Sequence, residues 1–521
     1  MRKTTQYFII TFGLFLTFRL IAFALSIDAF DDFMPRIRMA MKWIEAPYLM
    51  TDNTLVEQYG VLHVTFIGLG LLLWNDPLVT PRVVSLIMGL LTFFPFYIMC
   101  KEYFNRRIAY LSLFLLSFYT LHVKFSAVTG SESTFVFFMI TALAYLFKYA
   151  NDTQIKFLII SGFSLGLACL ARYEGMLFIP LLPLLWLDTP RDFKDFFDFR
   201  SHLFQASMIF WIAVMIPVGL WMLGNYIGTG HPLPAMVIVE ESHRLFNEVV
   251  KYFLGHKFTI IYFLAFIPGV LLITLTPPVF LGGLWGVLRI FKNRNFRTLF
   301  LINLFFMLTQ LFSGKVILVR YTILSGVLMV PYAAYGFYSL YQRYMNGKAV
   351  RGLLLIAISS FTWIFAILAF ERGPHSSLTE RLWSVSPIGY MRPEVQQLID
   401  YFNKDAADAK IIITDLDRHM RLRPMKLYAM KEGREIRQAY RGRHMNRITK
   451  SMETVLDDIV NFFKAEYIVS RRDTPLDKAM EQRAENPDFD PVLKARLVLS
   501  NQYYRIYKTE ILTQLNTAGK L

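Results

Sequence analysis

The chain has 521 residues, of which 55% are hydrophobic, and its formal net charge is +16. Its mean hydropathy of +0.40 and its long apolar runs exclude an ordinary soluble globular domain. Runs such as residues 7–27 and 203–223 are long enough to cross a hydrocarbon core of about 30 Å. The Lys and Arg residues lie in short segments between these runs, a pattern typical of membrane proteins rather than of nucleic-acid-binding proteins.

The first apolar run, residues 7–27, follows a basic Met-Arg-Lys start. It could be a signal peptide with Ala24-Leu25-Ser26 as its cleavage site. An uncleaved span is favoured, because the run is longer than a usual signal core and Arg19 interrupts it. Further apolar runs occupy residues 59–74, 83–100, 108–123, 135–149, 157–171, 176–187, 203–223, 266–290, 299–311, 321–341 and 353–370.

Basic junctions between these runs recur at every second span if residues 59–74 do not cross the membrane. This run of about 16 residues is also short for a span, so we interpret it as an interfacial or re-entrant helix. The sequence therefore predicts a polytopic α-helical protein of the inner or plasma membrane, with about 11 transmembrane helices and a cytoplasmic N-terminus. Four segments would then meet on the outer face, namely residues 28–57, 121–133, 224–257 and 313–320.

The composition changes after Phe370 to charged sequence interrupted by Pro and Gly. Helical spacing at residues 393–402 and 454–463 alternates with strand-like runs at 411–414, 467–470, 496–500 and 503–507. We therefore predict two domains, a membrane domain over residues 1–371 and a small extracytoplasmic α/β domain over residues 372–521.

Two sets of acidic residues lie at the predicted outer face. Asp31 and Asp32 follow the first span, where one carboxylate could act as a general base and the other could orient an acceptor or bind a metal. An ordinary polar loop start is the alternative. Glu132 begins another span, either as a second active-site carboxylate or as a residue that complements the helix dipole.

Several basic residues share the same face. Arg172 and Arg320 lie at outer ends of spans, where a guanidinium could hold a lipid phosphate through paired charge-assisted hydrogen bonds. Lys315 is open to the same interpretation, and snorkelling to lipid headgroups is the alternative for all three. His231 is a lone histidine in a Gly-His-Pro-Leu stretch, and His63 is a weaker candidate. The His and Cys residues have no zinc-ligand spacing.

The ordered motifs resemble those of polyprenyl-phosphate-sugar glycosyltransferases of the GT-C fold, and most closely the branch that contains protein O-mannosyltransferases and the aminoarabinose transferase of lipid A. The resemblance covers about 330 residues of the membrane part. The motifs that carry it are Asp31-Asp32, Pro81-Arg82-Val83-Val84-Ser85, Tyr103-Phe104-Asn105-Arg106-Arg107, the stretch from Leu121 to Glu132, Asn225-Tyr226 with Thr229-Gly230-His231-Pro232-Leu233, and Arg320-Tyr321.

This resemblance implies that Asp31 is the catalytic base, with Asp32 beside it and Glu132 as the second acidic residue of an outer pocket. Arg172 and Arg320 would hold the carrier phosphate. The sequence departs from the family at Asp32, where Glu is commoner, at His231, which replaces an Asp, and at Pro35, inside the expected helix. These departures bear on the acceptor and on the metal requirement.

The resemblance thus implies an inverting transfer of a sugar from a polyprenyl- or dolichyl-phosphate carrier to an extracytoplasmic protein, lipid or glycan. No cofactor is required by these residues, although they leave room for a divalent cation. The expected partners are the lipid-linked donor, membrane lipids and an acceptor of unknown identity, without nucleic acid. The alternatives are a transporter or flippase of lipid-linked sugars, or a structural subunit without activity.

Overall fold

The structure is a computed structural model. The residues that the structure describes are 2–26, 33–45, 47, 60–183, 198, 201–233, 265–291, 294–312, 319–344, 349–371, 393–414, 435–438, 465–472, 474–486, 488–489 and 493–511.

Helices dominate the N-terminal two thirds of the chain. In chain order they are α1 (Arg2–Leu25), α2 (Phe33–Glu45), α3 (Val61–Leu73), α4 (Thr80–Leu91), α5 (Phe93–Tyr103), α6 (Arg106–Ser117), α7 (Thr120–Phe125), α8 (Ser131–Asp152), α9 (Ile155–Ala171), α10 (Phe178–Leu181), α11 (His202–Thr229), α12 (Ala265–Thr274), α13 (Pro277–Ile290), α14 (Arg294–Phe312), α15 (Ile323–Tyr344) and α16 (Ala349–Glu371). Short 3-10 turns at Tyr173–Leu177 and Val319–Thr322 precede α10 and α15.

Five stretches of the described helices are long and apolar enough to cross a membrane, and a sixth is added if the bent pair of α12 and α13 counts as one span. The chain is therefore an integral membrane protein. The total of eleven spans and the orientation of the termini stay predictions. The five stretches are Thr5–Leu25, Thr80–Tyr103, Ser131–Asp152, His202–Gly228 and Val319–Arg343.

Two runs that were predicted as continuous spans are broken. The run over residues 108–123 divides where α6 ends at Ser117 and the short, wholly buried α7 begins at Thr120. The run over residues 266–290 bends by 118° between α12 and α13. Hydropathy alone could not reveal either break, because the residues on both sides of each break are apolar.

The bend between α12 and α13 has a local cause. Thr276 has a positive φ of 68° with ψ of 144°, and prolines occupy the first two positions of α13, where a missing N–H group costs no hydrogen bond. Side chains satisfy groups that the break exposes. Thr120 Oγ1 donates to the Thr274 carbonyl at 3.1 Å, Trp363 Nε1 donates to the Ile273 carbonyl at 3.0 Å, and the Thr276 and Ser360 hydroxyls lie 3.0 Å apart.

The C-terminal part of the chain forms a second compact unit. Its described residues, within 393–511, include two helices and a five-stranded sheet. The strand order is β2-β1-β3-β5-β4, with β1 parallel to β2 and β3, and β5 antiparallel to β3 and β4. The predicted boundary at residues 371/372 adjoins residues outside the described part and stays a prediction. The elements are α17 (Pro393–Lys404), β1 (Ile411–Thr414), β2 (Glu435–Gln438), β3 (Tyr467–Arg471), α18 (Pro475–Glu485), β4 (Leu493–Ser500) and β5 (Tyr504–Ile511).

The core of this sheet unit follows from the spacing of its apolar residues. Val395, Leu398, Ile399 and Phe402 recur at helical spacing on one face of α17, and they pack against buried residues of β1, β3 and β5. Buried Asp477 of α18 accepts hydrogen bonds from Ser470, Tyr507 and Arg505.

Close backbone contacts hold α13 against α15. A Cβ atom on Gly286 would lie 1.9 Å from the Tyr332 carbonyl oxygen, and one on Gly336 would lie 2.2 Å from the Gly282 carbonyl oxygen. Small residues allow such approaches between membrane helices, where lipid supplies no hydrophobic driving force for association.

We predict that Gly286→Ala lowers the free energy of unfolding by about 1–3 kcal/mol, the usual cost of overpacking, because either α13 or α15 must move. Gly219→Ala is the matched control, since a Cβ atom there has no neighbour within 4 Å. It should be neutral, or should stabilise α11 by about 0.5–1 kcal/mol. Unfolding of both purified variants in detergent tests this, and equal shifts would contradict it.

Candidate active site around the start of helix α8

The first turn of α8 is a meeting point for side chains from four other elements. Its residues Ser131, Glu132, Ser133 and Thr134 are all buried. Gly130 precedes the helix, and a Cβ atom there would lie 2.5 Å from the Glu132 carboxylate and 2.9 Å from the Phe125 ring. Glycine therefore leaves the space in which the Glu132 side chain lies.

Glu132 binds two arginines through a single oxygen. Arg172 Nη1 donates to Glu132 Oε1 at 2.5 Å, and Arg320 Nε lies 3.9 Å from the same atom. The guanidinium carbons of both arginines lie 5.3 Å from the Tyr321 ring centroid. Arg172 and Arg320 are 148 residues apart, so the structure brings together three of the predicted site residues.

Arg172 has a second carboxylate partner two residues along the chain. Its Nη2 donates to Glu174 Oε1 at 2.7 Å, and its Nε donates to Glu174 Oε2 at 3.3 Å. Burial lowers the pKa of the Arg172 guanidinium, but the charges of Glu174 and Glu132 more than offset this, so the net shift of the pKa is upward. Arg172 therefore stays cationic at every accessible pH.

Two further basic side chains reach the same turn of α8. Arg36 of α2 is buried and donates to the Ser131 hydroxyl at 3.2 Å, and His63 of α3 has Nδ1 2.9 Å from Thr134 Oγ1. Arg36 was not among the site residues predicted from the sequence. Its signal was the spacing of Arg36 with Met39, Ala40 and Trp43, which places it on the buried face of an amphipathic helix.

Close packing sets the position of α3. A Cβ atom on Gly60 would lie 2.1 Å from the Leu170 carbonyl oxygen and 2.5 Å from that of Ala171. The start of α3 therefore touches the last turn of α9, immediately before Arg172. His63 follows one turn later, which explains how α3 brings an imidazole to this side of the site.

Arg82 connects two segments that flank the site. Its Nε donates to the Ala127 carbonyl at 2.9 Å and its Nη2 donates to the Phe23 carbonyl. Ala127 lies five residues before Glu132, and Phe23 lies in the last turn of α1. One guanidinium fork thus joins α1 to the segment that leads into α8.

Of the other predicted site residues, the structure describes only His231. Asp31, Asp32 and Lys315 lie outside the described residues. His231 is exposed, just after the end of α11. Leu233, two residues further on, packs with Val61 of α3 and Leu170 of α9. The described part of the chain contains no group of three His, Cys, Asp or Glu residues that could hold a metal ion.

The arrangement is that of an integral membrane protein of the GT-C fold, as comparison with solved structures shows. The crystal structure of ArnT from Cupriavidus metallidurans bound to undecaprenyl phosphate matches 98% of this chain and 99% of its own, with a TM-score of 0.66 and 12% identity. The oligosaccharyltransferase AglB from Archaeoglobus fulgidus, in complex with an inhibitory peptide and a dolichol-phosphate, matches 90% of this chain and 69% of its own, with a TM-score of 0.52 and 13% identity.

By sequence, residues 60–221 match the family described as dolichyl-phosphate-mannose-protein mannosyltransferase. That range runs from α3 into α11 and includes His63, Glu132 and Arg172. No curated protein matches the chain by sequence. The chain is thus similar to protein mannosyltransferases and to ArnT, and the resemblance inferred from the ordered motifs is confirmed at the level of the fold.

We predict that Glu132→Gln lowers the free energy of unfolding by about 3 kcal/mol, near the lower end of the effect of removing one partner from a buried ion pair. Glu132 is fully buried, and Glu174 still holds Arg172 in the variant. Glu174→Gln is the matched comparison and should cost less, because Glu174 is 22% exposed. Chemical unfolding in detergent measures both, and a larger loss for Glu174→Gln would show that this ordering is wrong.

Proposed function

We propose that this protein is a glycosyltransferase that moves a sugar from a polyprenyl- or dolichyl-phosphate carrier to an acceptor outside the cytoplasm. The observation that carries the proposal is the pair of arginines, Arg172 and Arg320, around one oxygen of Glu132. Two solved structures of the same fold have bound undecaprenyl phosphate or dolichol-phosphate, which supports a lipid phosphate as the ligand of these arginines.

The proposed reaction is a single displacement with inversion. The anomeric carbon forms a bond to the acceptor oxygen or nitrogen, and its bond to the phosphate oxygen breaks. The electron pair leaves on the polyprenyl phosphate, and the acceptor proton passes to the carboxylate of Asp31. Arg172 and Arg320 stabilise the charge that develops on the phosphate. Asp32 would orient the acceptor or hold a divalent cation, although the proposed chemistry requires no cofactor.

The geometry favours a positioning role for Glu132 over a direct catalytic one. Its Oε1 accepts a charge-assisted hydrogen bond from Arg172 and also lies near Arg320. This places both guanidiniums beside each other, where like charges would otherwise repel. Glu132 therefore organises the cations that bind phosphate, while Asp31 remains the proposed base.

Lys315 and His231 are proposed to complete the outer part of the donor site. Lys315 would add a further cation for the phosphate. His231 belongs to the segment that Leu233 anchors against α3 and α9. The proposed orientation places the N-terminus in the cytoplasm and residues 372–521 outside it, so that the site opens to the outer face of the inner or plasma membrane.

A transporter or flippase of lipid-linked sugars is the second candidate. The broken helix pair α12 and α13, bent by 118°, favours it, because discontinuous helices line the substrate sites of many transporters. Such a protein would use Arg172 and Arg320 to bind the same lipid without breaking the sugar–phosphate bond.

We predict that Asp31→Asn lowers kcat by about 10²–10⁴-fold, the usual contribution of a general base, while binding of the lipid donor persists. The assay measures polyprenyl phosphate released from a panel of polyprenyl-phosphate sugars in membranes, with a cell-envelope extract as the acceptor. Asp32→Asn tests the neighbouring carboxylate. Asp152→Asn is the control, since this exposed residue ends α8, roughly 30 Å from Glu132 at 1.5 Å per residue.

Three outcomes separate the candidates. Turnover by the wild type and its loss in Asp31→Asn support the transferase and its base. Turnover that survives in Asp31→Asn refutes Asp31 as the base but keeps the transferase. Binding of the donors with no release of polyprenyl phosphate by the wild type would refute the transferase in favour of transport.

A further inference from the structure

His63 lies on the side of the site formed by α2, α3 and α8. Its side chain is fully buried, and Nδ1 lies 2.9 Å from the Thr134 hydroxyl. Within the part of the chain that the structure describes, no protein atom hydrogen-bonds to Nε2. A buried polar atom without a partner is destabilising, and an apolar side chain at this position would avoid that cost.

The surroundings of His63 are cationic. Burial, and then the charges of Arg36 and Arg172, lower the pKa of the imidazole well below its ordinary value, so the ring is neutral at pH 7. Arg36 contacts Ser131 and Arg172 contacts Glu132, in the same turn of α8 as Thr134. His63 therefore adds a neutral hydrogen-bonding atom to a site in which the neighbouring basic groups are charged donors.

The phosphate and the sugar hydroxyls of a lipid-linked sugar need different hydrogen-bonding partners. A phosphate has only acceptor oxygens in its ionised form, and guanidinium donors match it. A sugar hydroxyl both donates and accepts. Glu132 Oε1 and both oxygens of Glu174 accept hydrogen bonds from Arg172. An ionised carboxylate can only accept, so an uncharged group that can donate or accept has to come from another residue.

The pair of His63 and Thr134 meets that requirement. The threonine hydroxyl can donate to Nδ1 or accept from it, so either tautomer of the ring is satisfied on that side. Nε2 is then a donor in one tautomer and an acceptor in the other. The pair thus adapts to the hydroxyl that it meets, whereas a guanidinium can only donate.

We propose that His63 Nε2 hydrogen-bonds a hydroxyl group of the donor sugar, so that His63 selects the sugar while the arginines bind the phosphate. This inference rests on the proposed function and adds a residue that discriminates among donors. Gly60 supports it, because its contact with the Leu170 and Ala171 carbonyls sets α3 against the segment that contains Arg172.

The test compares the affinities of two lipids for the full-length protein in detergent. One is the polyprenyl-phosphate sugar that supports turnover, and the other is the same polyprenyl phosphate without sugar. His63→Asn keeps an amide near the position of Nδ1 but loses the Nε2 position, whereas His63→Gln places an amide near Nε2. We expect His63→Asn to reduce the preference for the sugar-bearing lipid by about 10-fold, the value of one hydrogen bond. His63→Gln should retain most of the preference.

Each other outcome overturns the inference. An equal loss of affinity for both lipids would assign His63 to the phosphate or to packing, and an unchanged preference would assign it to the core. If His63→Asn does not fold, Thr134→Val replaces it as the near-isosteric variant, because it removes the partner of Nδ1 and should also reduce the preference. Absence of turnover in the wild type refutes the proposed function itself, whereas turnover with an unaltered preference in the variants refutes the role of His63 alone.

Discussion

The ion pair between Arg172 and Glu132 is the constraint around which the start of α8 and its neighbours are organised. Both side chains are at most 9% exposed and their closest atoms are 2.5 Å apart. Removing two charges from water is costly, and the attraction between them offsets that cost only when the geometry is good and the remaining donors have partners. Glu174 supplies the additional acceptors for Arg172. The end of α9 is consequently joined to the start of α8 by charge as well as by packing.

Two glycines and one arginine bring other elements close to this ion pair. Gly130 leaves space for the Glu132 carboxylate, and Gly60 lets α3 touch the end of α9. Arg82 joins the last turn of α1 to the segment before α8. Buried polar groups of a membrane protein require such ties, because lipid offers them no hydrogen-bond partners. The same reasoning explains why side-chain hydroxyls form hydrogen bonds with polar groups at the break between α12 and α13.

The sequence was most informative where a property is local. Apolar runs identified membrane helices, and β-branched runs identified strands such as Ile411–Thr414. The family resemblance implied that Glu132, Arg172 and Arg320 serve one outer pocket, although a charge at the end of a span has the same appearance whether it binds a ligand or snorkels. Sequence could not predict that Arg36 joins them, because that depends on how α2 packs on α8. The apolar run over residues 266–290 concealed the bend at Thr276, although Pro277 and Pro278 favour the start of a helix directly after it.

Charge balance connects the ion pair to the proposed chemistry. Among the described residues around the start of α8, the three guanidiniums of Arg36, Arg172 and Arg320 exceed the two carboxylates of Glu132 and Glu174 by one formal positive charge. A polyprenyl-phosphate sugar is a phosphodiester with one negative charge, so its binding would neutralise the site. Transfer of the sugar leaves a monoester that can carry a second negative charge. The cationic cluster would then bind the monoester product more tightly than the phosphodiester substrate. Under the proposed function, a cluster with this balance would stabilise the charge that develops as the sugar–phosphate bond breaks, which is the electrostatic requirement of the step.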